Sequence, residues 1–410
     1  MSTTGGFKTN VLSLYAVQGI QYLSPLLVLP ILVRQLGSDQ FGQLAFWQSL
    51  VGGLAILVDY GFNYSAVRAL SKSDLTPVQI GKIYYATMSA RFLLLIPATL
   101  LLFAISNLLP EHKDITLRWL GLIMLVGVGL SPAWYLAGMK RNMPLAYASA
   151  ASLVIVTILT WIFVRGQNGL YIAAAIQFMA PVLTAAFAHW FVAKHVKPLY
   201  SKIHAKDVIE TLREGAPLFL TCASSGLYSS LNPFLLGLVA ASPQVAFFSL
   251  AERLIRSGRG LLNPLMAAIF PYSASQADSQ KNRSILLTSS KILLLASTLL
   301  TLGLFISAPW AIPLLFGIGY GTSRIVVQIL AINIIFVTVS NLLGVQNLIA
   351  KGRDKHVTII TTFAAPIHIA SILIAGRMFG AIGAASAYVV TEAAVTVAIG
   401  VTAYNLRVRA

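Results

Sequence analysis

Phe92-Leu93-Leu94-Leu95-Ile96-Pro97-Ala98-Thr99-Leu100-Leu101-Leu102-Phe103-Ala104-Ile105-Ser106-Asn107-Leu108-Leu109 contains no charged side chain. Wound as an α-helix, these 18 residues extend about 27 Å, close to the roughly 30 Å hydrocarbon depth of a bilayer. Working outward, the stretch sits in a longer apolar segment, 83–109, and eleven similar segments flank it. They cover 10–33, 41–62, 117–137, 145–164, 170–192, 216–240, 244–272, 288–312, 325–349, 357–376 and 381–404. The composition agrees. Of 410 residues 57% are hydrophobic and 10% charged, with mean hydropathy +0.79. A soluble chain carries about a quarter charged residues, so two globular domains could not be coated with what is present. The net charge of +17 would suit a nucleic-acid binder, but the missing polar surface does not. The apolar content excludes disorder. The expected class is therefore an all-α polytopic membrane protein.

Charge placement sets the expected orientation. With a cytoplasmic N-terminus, 19 of the 29 Lys and Arg fall on the cytoplasmic side, 6 on the other, and four inside spans. This bias places both termini inside. The first segment is too long in its apolar core for a cleavable signal peptide and lacks a cleavage motif. The basic connection between Lys194 and Gly215 divides the segments six and six, so residues 1–200 and 201–410 are expected to form two six-helix bundles around a central cavity. A weak echo relates the halves. Pro30-Ile31-Leu32 precedes Leu36-Gly37-Ser38-Asp39-Gln40-Phe41-Gly42, as Pro233-Phe234-Leu235 precedes Ala240-Ala241-Ser242-Pro243-Gln244-Val245-Ala246. Repeats in the same orientation imply a pseudo-twofold along the membrane normal, an architecture favouring transport.

Ionisable residues within spans are costly and mark functional candidates. Glu252-Arg253-Leu254-Ile255-Arg256-Ser257-Gly258-Arg259 places four of them in the eighth segment. Glu252, Arg256 and Arg259 share one helical face, with Glu252 positioned to pair with Arg256. Snorkelling toward headgroups would explain Arg259. A cationic face built to hold an anion would explain all three arginines, since guanidinium bonds phosphate oxygens in pairs. Arg91 lies about 13 Å into the third segment and needs a partner from another helix or a ligand. Asp59 reads as a helix-end residue, Glu392 as an isolated deep acid suited to ion coupling, and His368 as a neutral hydrogen-bonded histidine. His189 reads as interfacial. Polar stripes, Tyr15, Gln18 and Tyr22 in the first segment and Ser224, Ser225, Tyr228, Ser229 and Asn232 in the seventh, suit either helix packing or a cavity lining. Gly258, Gly260 and Pro264 predict a weakened eighth helix.

Other chemistries are not encoded. A single cysteine, Cys222, excludes a disulfide framework and a cysteine-based metal site. Nucleotide-binding, zinc-hydrolase and nucleophile-elbow motifs are absent, so no metal, cofactor or enzymatic activity is expected.

Three stretches resemble the polysaccharide-exporting flippases of the multidrug/oligosaccharidyl-lipid/polysaccharide (MOP) superfamily, Wzx O-antigen type. They are Leu29-Pro30-Ile31-Leu32-Val33-Arg34-Gln35-Leu36-Gly37 with Phe41-Gly42, then Val245 through Arg256, then Leu262-Asn263-Pro264 leading to Phe270-Pro271-Tyr272. The resemblance implies movement of an undecaprenyl-diphosphate-linked oligosaccharide across the bacterial inner membrane by alternating access. On that reading Arg91, Arg253, Arg256 and Arg259 hold the diphosphate, and Tyr15, Gln18, Tyr228 and Asn232 contact sugar. Glu392, Asp59 and Glu252 are then the ion-coupling candidates. Implied partners are the lipid-linked substrate, membrane lipids, and polysaccharide polymerase and chain-length regulator proteins; nucleic acid is not among them. The principal alternative is an ion-coupled multidrug exporter of the same superfamily, whose cationic substrates would call for net acid rather than net base. A peptidoglycan-precursor flippase would carry two extra spans, and a membrane-embedded glycan-assembly enzyme would need large outer loops.

Overall fold

The computed structural model describes residues 3–408 apart from 73, 110–113, 166–168, 267, 268, 270–279 and 352. For 3–18, 20–23, 220, 221, 224, 225, 227–229, 280–285, 351, 407 and 408 it describes the backbone alone. The described residues are helical almost throughout. In chain order the α-helices are α1 (Thr3–Asp59), α2 (Phe62–Leu70), α3 (Pro77–Leu108), α4 (Ile115–Leu130), α5 (Ala133–Gly138), α6 (Asn142–Phe163) and α7 (Gly169–His195). They continue with α8 (Ala205–Ser230), α9 (Asn232–Gly237), α10 (Ser242–Gly260), α11 (Gln280–Phe316), α12 (Gly321–Ser340) and α13 (Asp354–Val408).

Among the described residues, eight helical segments are long and apolar enough to cross a membrane. Two of the helices exceed any bilayer. At 57 and 55 residues, α1 and α13 would each reach more than about 80 Å if straight. Each is broken at a glycine with positive φ, Gly37 (φ 68°) and Gly380 (φ 58°), the backbone region glycine enters without a Cβ penalty. The gap between the apolar segments 10–33 and 41–62 is thus a single glycine break inside a run of helical residues. α10 is not among the eight, because its four charged residues dilute the apolar signal. The eighth segment does not simply kink: α10 ends at Gly260, with a turn at Leu261 and Leu262 before helix resumes at Asn263.

The chain forms two compact units. The first comprises 1–36 and 46–231. In it α4 and α6 pack on α7, α3 packs on α4, and α2 packs on α5 and α8. Its buried core includes Phe62, Leu70, Tyr84, Met88, Trp134, Tyr135 and Val192, with Tyr84 edge-on to Tyr135 at 4.7 Å. The second comprises 37–45 and 232–410. Here α12 packs against α10, α11 and α13, and α9 packs against α10 and α13. Large apolar side chains point outward in both units, Phe92, Leu93, Ile96 and Leu100 on α3 and Ile359, Phe363, Ile367 and Ile374 on α13. Their helical spacing makes continuous greasy faces, the arrangement that hydrocarbon rather than water solvates.

The Phe41-Gly42 pair has a packing role within the second unit. Phe41 is fully buried, and a Cβ added to Gly42 would lie 1.8 Å from the carbonyl oxygen of Ser242. Since that contact is with backbone, no side chain can move aside. Gly42→Ala is expected to lower stability by about 1–3 kcal/mol, the usual cost of overpacking, seen as a lower melting temperature of the detergent-solubilised protein. An unchanged melting temperature would show that the two segments separate freely.

Candidate functional site

In the first unit, the sequence Asp59-Tyr60-Gly61 ends α1 abruptly. Tyr60 and Gly61 both have positive φ (44° and 73°), and the Tyr60 ring stacks on Phe219 at 4.7 Å. The break leaves the Asp59 carboxylate facing Arg91 of α3, with which it forms a direct ion pair. Pro132 stops α4 nearby, having no N–H to offer the last turn. Arg91 donates there twice, Nη1 to Ser131 O at 2.9 Å and Nη2 to Val128 O at 2.8 Å, the latter also accepting the Ser131 N–H at 3.1 Å. His189 of α7 contacts Leu130 O through Nε2 at 2.6 Å. A cation at a helix C-terminus is also favoured by the macrodipole. From the middle of α3, one arginine therefore joins the ends of α1 and α4, while its Nε has no hydrogen-bond partner in the described structure.

This ion pair forms part of the wall of a cavity of about 380 Å³. Asn63, Ser131, Ser149, Ser152 and Thr184 contribute polar groups, and Val128, Leu153 and Pro181 contribute apolar ones. The Arg91 side chain is 2% exposed and that of Asp59 38% exposed. The acid, not the base, is the group this cavity presents.

The second unit holds a buried polar network drawn from three elements. Asn232, the first residue of α9, donates through Nδ2 to Glu252 Oε1 of α10 at 3.1 Å. Its Oδ1 lies 2.9 Å from His368 Nε2 of α13. With the amide nitrogen committed to a carboxylate, Oδ1 is the acceptor and His368 Nε2 the donor. Glu252 also pairs with Arg256 at 3.4 Å. The His368 ring meets Tyr388 edge-on at 5.3 Å, and Tyr388 is within electrostatic reach of Arg256, Arg259, Glu252 and Glu392. Asn232, Glu252, His368 and Glu392 are all buried. Such a chain of donors and acceptors can hold a proton or exchange it between members.

The arginines of α10 have different surroundings. Arg253 is half-buried and lies over the Phe41 ring at 5.3 Å. Arg256 has a 62% exposed side chain despite its pairing, and Arg259 is half-buried. Three cations and one acid thus occupy two turns of one helix, a local excess of two positive charges.

Arg253, Arg256, Arg259, Glu252, Asn232 and Glu392 therefore belong to one unit and Arg91 and Asp59 to the other. Arg91 finds its expected partner on another helix. Asp59 marks the end of its helix and in addition forms that ion pair. Asn232, read from the sequence as a sugar contact, is fully buried with both ends of its amide bonded. The side chains of Tyr15, Gln18 and Tyr228 lie outside the described residues, as do those of Tyr22, Ser224, Ser225 and Ser229 and the whole of Phe270-Pro271-Tyr272. His368, singled out by its depth and read as hydrogen-bonded, does make such a bond, to Asn232. Sequence reasoning passed over Tyr388 and the hydroxyls around Asp59, which have no distinctive sequence signal.

Comparison with known proteins covers nearly the whole chain. The family model described as polysaccharide biosynthesis protein matches residues 7–277. A protein named "Putative O-antigen transporter" from Escherichia coli (strain K12) is 28% identical over 394 residues, 95% of this chain and 94% of that protein. One of the same name from Shigella dysenteriae is 27% identical, covering 94% of this chain and 97% of that protein. Among solved structures, the lipid II flippase MurJ in an inward closed conformation has a TM-score of 0.78 at 14% identity, over 95% of this chain and 87% of that one. An inward-facing multidrug resistance MATE family transporter of the MOP superfamily has a TM-score of 0.70 at 16% identity, over 96% and 94%. At these identities the structures establish a shared fold.

Removing Arg91 would strand Asp59 and the Ser131 carbonyl. Because Asp59 is partly exposed, the expected loss for Arg91→Ala is at the low end for a broken buried pair, about 3 kcal/mol. In a double-mutant cycle with Asp59→Asn, thermal unfolding should reveal a coupling of at least about 1 kcal/mol. Strict additivity would mean that the pair contributes nothing specific.

Proposed function

This chain belongs to the polysaccharide biosynthesis protein family, and from that premise we propose that it is a flippase for a lipid-linked oligosaccharide. Its substrate is an undecaprenyl-diphosphate-linked O-antigen or similar polysaccharide repeat unit, moved from the inner to the outer leaflet of the bacterial inner membrane. The observation that carries this reading is the cationic stretch of α10, where Arg253, Arg256 and Arg259 outnumber a single acid, Glu252. Such a charge excess suits an anionic diphosphate. Guanidinium binds phosphate oxygens in pairs and keeps its charge at every physiological pH.

The proposed working arrangement has twelve crossings, both termini cytoplasmic, and two six-helix bundles, 1–200 and 201–410, flanking a central cavity. Rocking of the bundles exposes the cavity to one leaflet and then the other. Arg253, Arg256 and Arg259 hold the diphosphate, and Arg91 joins them when its pair with Asp59 opens. Tyr15, Gln18, Tyr228 and Asn232 serve the glycan, with Asn232 acting through its bonds to Glu252 and His368. Coupling to an ion gradient falls to Glu392, Asp59 and Glu252. The polymerase and chain-length regulator that use the exported repeat unit are its proposed protein partners. The chain is proposed to act as a transporter without catalysis or cofactor.

A multidrug exporter is the second reading. It is favoured by one observation, the carboxylate of Asp59 facing a cavity of about 380 Å³, since an acid would attract a cationic drug. Drug accumulation in cells with and without the protein separates the two readings: a flippase leaves it unchanged.

Deletion of the gene is expected to leave lipid-linked repeat units on the inner leaflet while surface polysaccharide disappears. Substitution of Arg256 by Ala removes a charge-assisted contact of about 1.5–3 kcal/mol, so surface polysaccharide should fall by about tenfold or more in a complementation assay. Full complementation by Arg256→Ala and by Arg253→Ala would sink the anion-site assignment. Transport by Glu392→Gln should lose its pH dependence; a wild-type pH profile would remove Glu392 from coupling.

A further inference from the structure

The cavity beside the Asp59–Arg91 pair lies wholly within the first unit, and its hydrogen-bonding capacity defines a ligand. Arg91 is committed: its two Nη groups donate to Asp59 Oδ1, Val128 O and Ser131 O, and its side chain is buried. Asp59 is committed through one oxygen only. Its Oδ2 has no hydrogen-bond partner among the described residues and belongs to a partly exposed carboxylate. On α6 and α7, Ser152 and Thr184 donate their hydroxyl hydrogens to Ala148 O and Ala180 O, at 2.9 and 3.0 Å. Only lone pairs remain on those two oxygens. The side chains of Asn63 on α2 and Ser149 on α6 make no hydrogen bond among the described residues. Each can therefore both donate and accept.

This pattern selects by charge and by chemistry. Arg91 offsets the charge of Asp59, so the wall is neutral as a whole. An anion would meet the Asp59 carboxylate with no guanidinium hydrogen turned toward it in compensation. A cation would have to compete with Arg91 for a carboxylate already held in an ion pair. A neutral polyhydroxyl ligand meets neither obstacle. It donates to Asp59 Oδ2, Ser152 and Thr184, and it exchanges hydrogen bonds with Asn63 and Ser149. Val128, Leu153 and Pro181 supply apolar wall for the C–H groups that such a ligand also carries. Size agrees. A pyranose of about twelve heavy atoms displaces about six waters of roughly 30 Å³ each, near half of the cavity's volume of about 380 Å³. One ring with bridging waters, or two linked rings, fits the space.

Resting on the flippase reading for the source of the sugar, we propose that this cavity is a glycan subsite for a neutral pyranose residue of the repeat unit. The subsite exists while the Asp59–Arg91 pair is closed. Its test reads binding to the full chain in detergent, by saturation-transfer NMR of the methyl glycosides of glucose, galactose, mannose, rhamnose and N-acetylglucosamine. The methyl glycosides of glucuronic acid and glucosamine, an anionic and a cationic ring of similar shape, are the charged comparisons. At least one neutral glycoside should bind, and more tightly than either charged ring. Asn63→Ala and Ser149→Ala, each removing one hydrogen-bonding group, should weaken that binding about two- to tenfold. Ser149→Leu, which fills the cavity, should abolish it; where this variant does not fold, the two alanine variants decide. Absence of binding by all the neutral glycosides would overturn the subsite, as would equal binding by the wild type and both alanine variants. A preference for the glucosamine glycoside that disappears in Asp59→Asn would overturn it in favour of a cation site. The flippase reading is judged apart, by accumulation of lipid-linked repeat units after gene deletion. If they accumulate and no glycoside binds, the subsite alone falls. If they do not accumulate, the flippase reading falls, and the repeat unit as the source of the sugar falls with it, even where glycosides bind.

Discussion

Hydrocarbon offers no hydrogen bonds, so each polar group within it must find a partner inside the protein or cost several kcal/mol. Arg91 shows how far this constraint organises the chain. It neutralises Asp59 at the end of α1 and donates to two carbonyls at the end of α4, before Pro132. With one guanidinium, two helix ends become tolerable at membrane depth. The break after Asp59 could not persist there without such a partner.

The second unit meets the same constraint with a network rather than a single arginine. Asn232 serves both as donor to Glu252 and as acceptor for His368, so three buried groups on three elements satisfy one another. Such networks rigidify a core when complete and are costly when partly broken. A network that includes a carboxylate and an imidazole also has protons to exchange, and packing and ion coupling would then draw on the same residues. The first unit instead opens its ion pair onto a polar cavity. The two units thus handle buried charge in different ways.

The positive charge of the chain separates into parts with different physical meaning. Most Lys and Arg fall in the connections between apolar segments, where they bear on orientation. On the proposed function, the arginines of α10 are the part that would serve an anionic substrate. Arg34 and Arg165, distant in sequence, line one groove, and counting charges by loop could not have paired them.

Helical class, membrane residence and the positions of the main helices were legible in the sequence because hydropathy depends only on local composition and length. Phe92–Leu109 is apolar in any context, and Gly37 and Gly380 fall where two apolar segments meet. The Glu252–Arg256 pair was legible too, since a four-residue spacing on a helix already sets its geometry. Everything that joins distant segments needed the tertiary structure. Arg91 with Asp59, His368 with Asn232, and Gly42 against Ser242 are separated by 32, 136 and 200 positions. No periodicity reports such pairings, because packing chooses them. By itself the sequence determined which residues must leave water. Which polar groups would then have to satisfy one another was decided only when the helices came together, since a partner in hydrocarbon is a matter of ångströms and not of position along the chain.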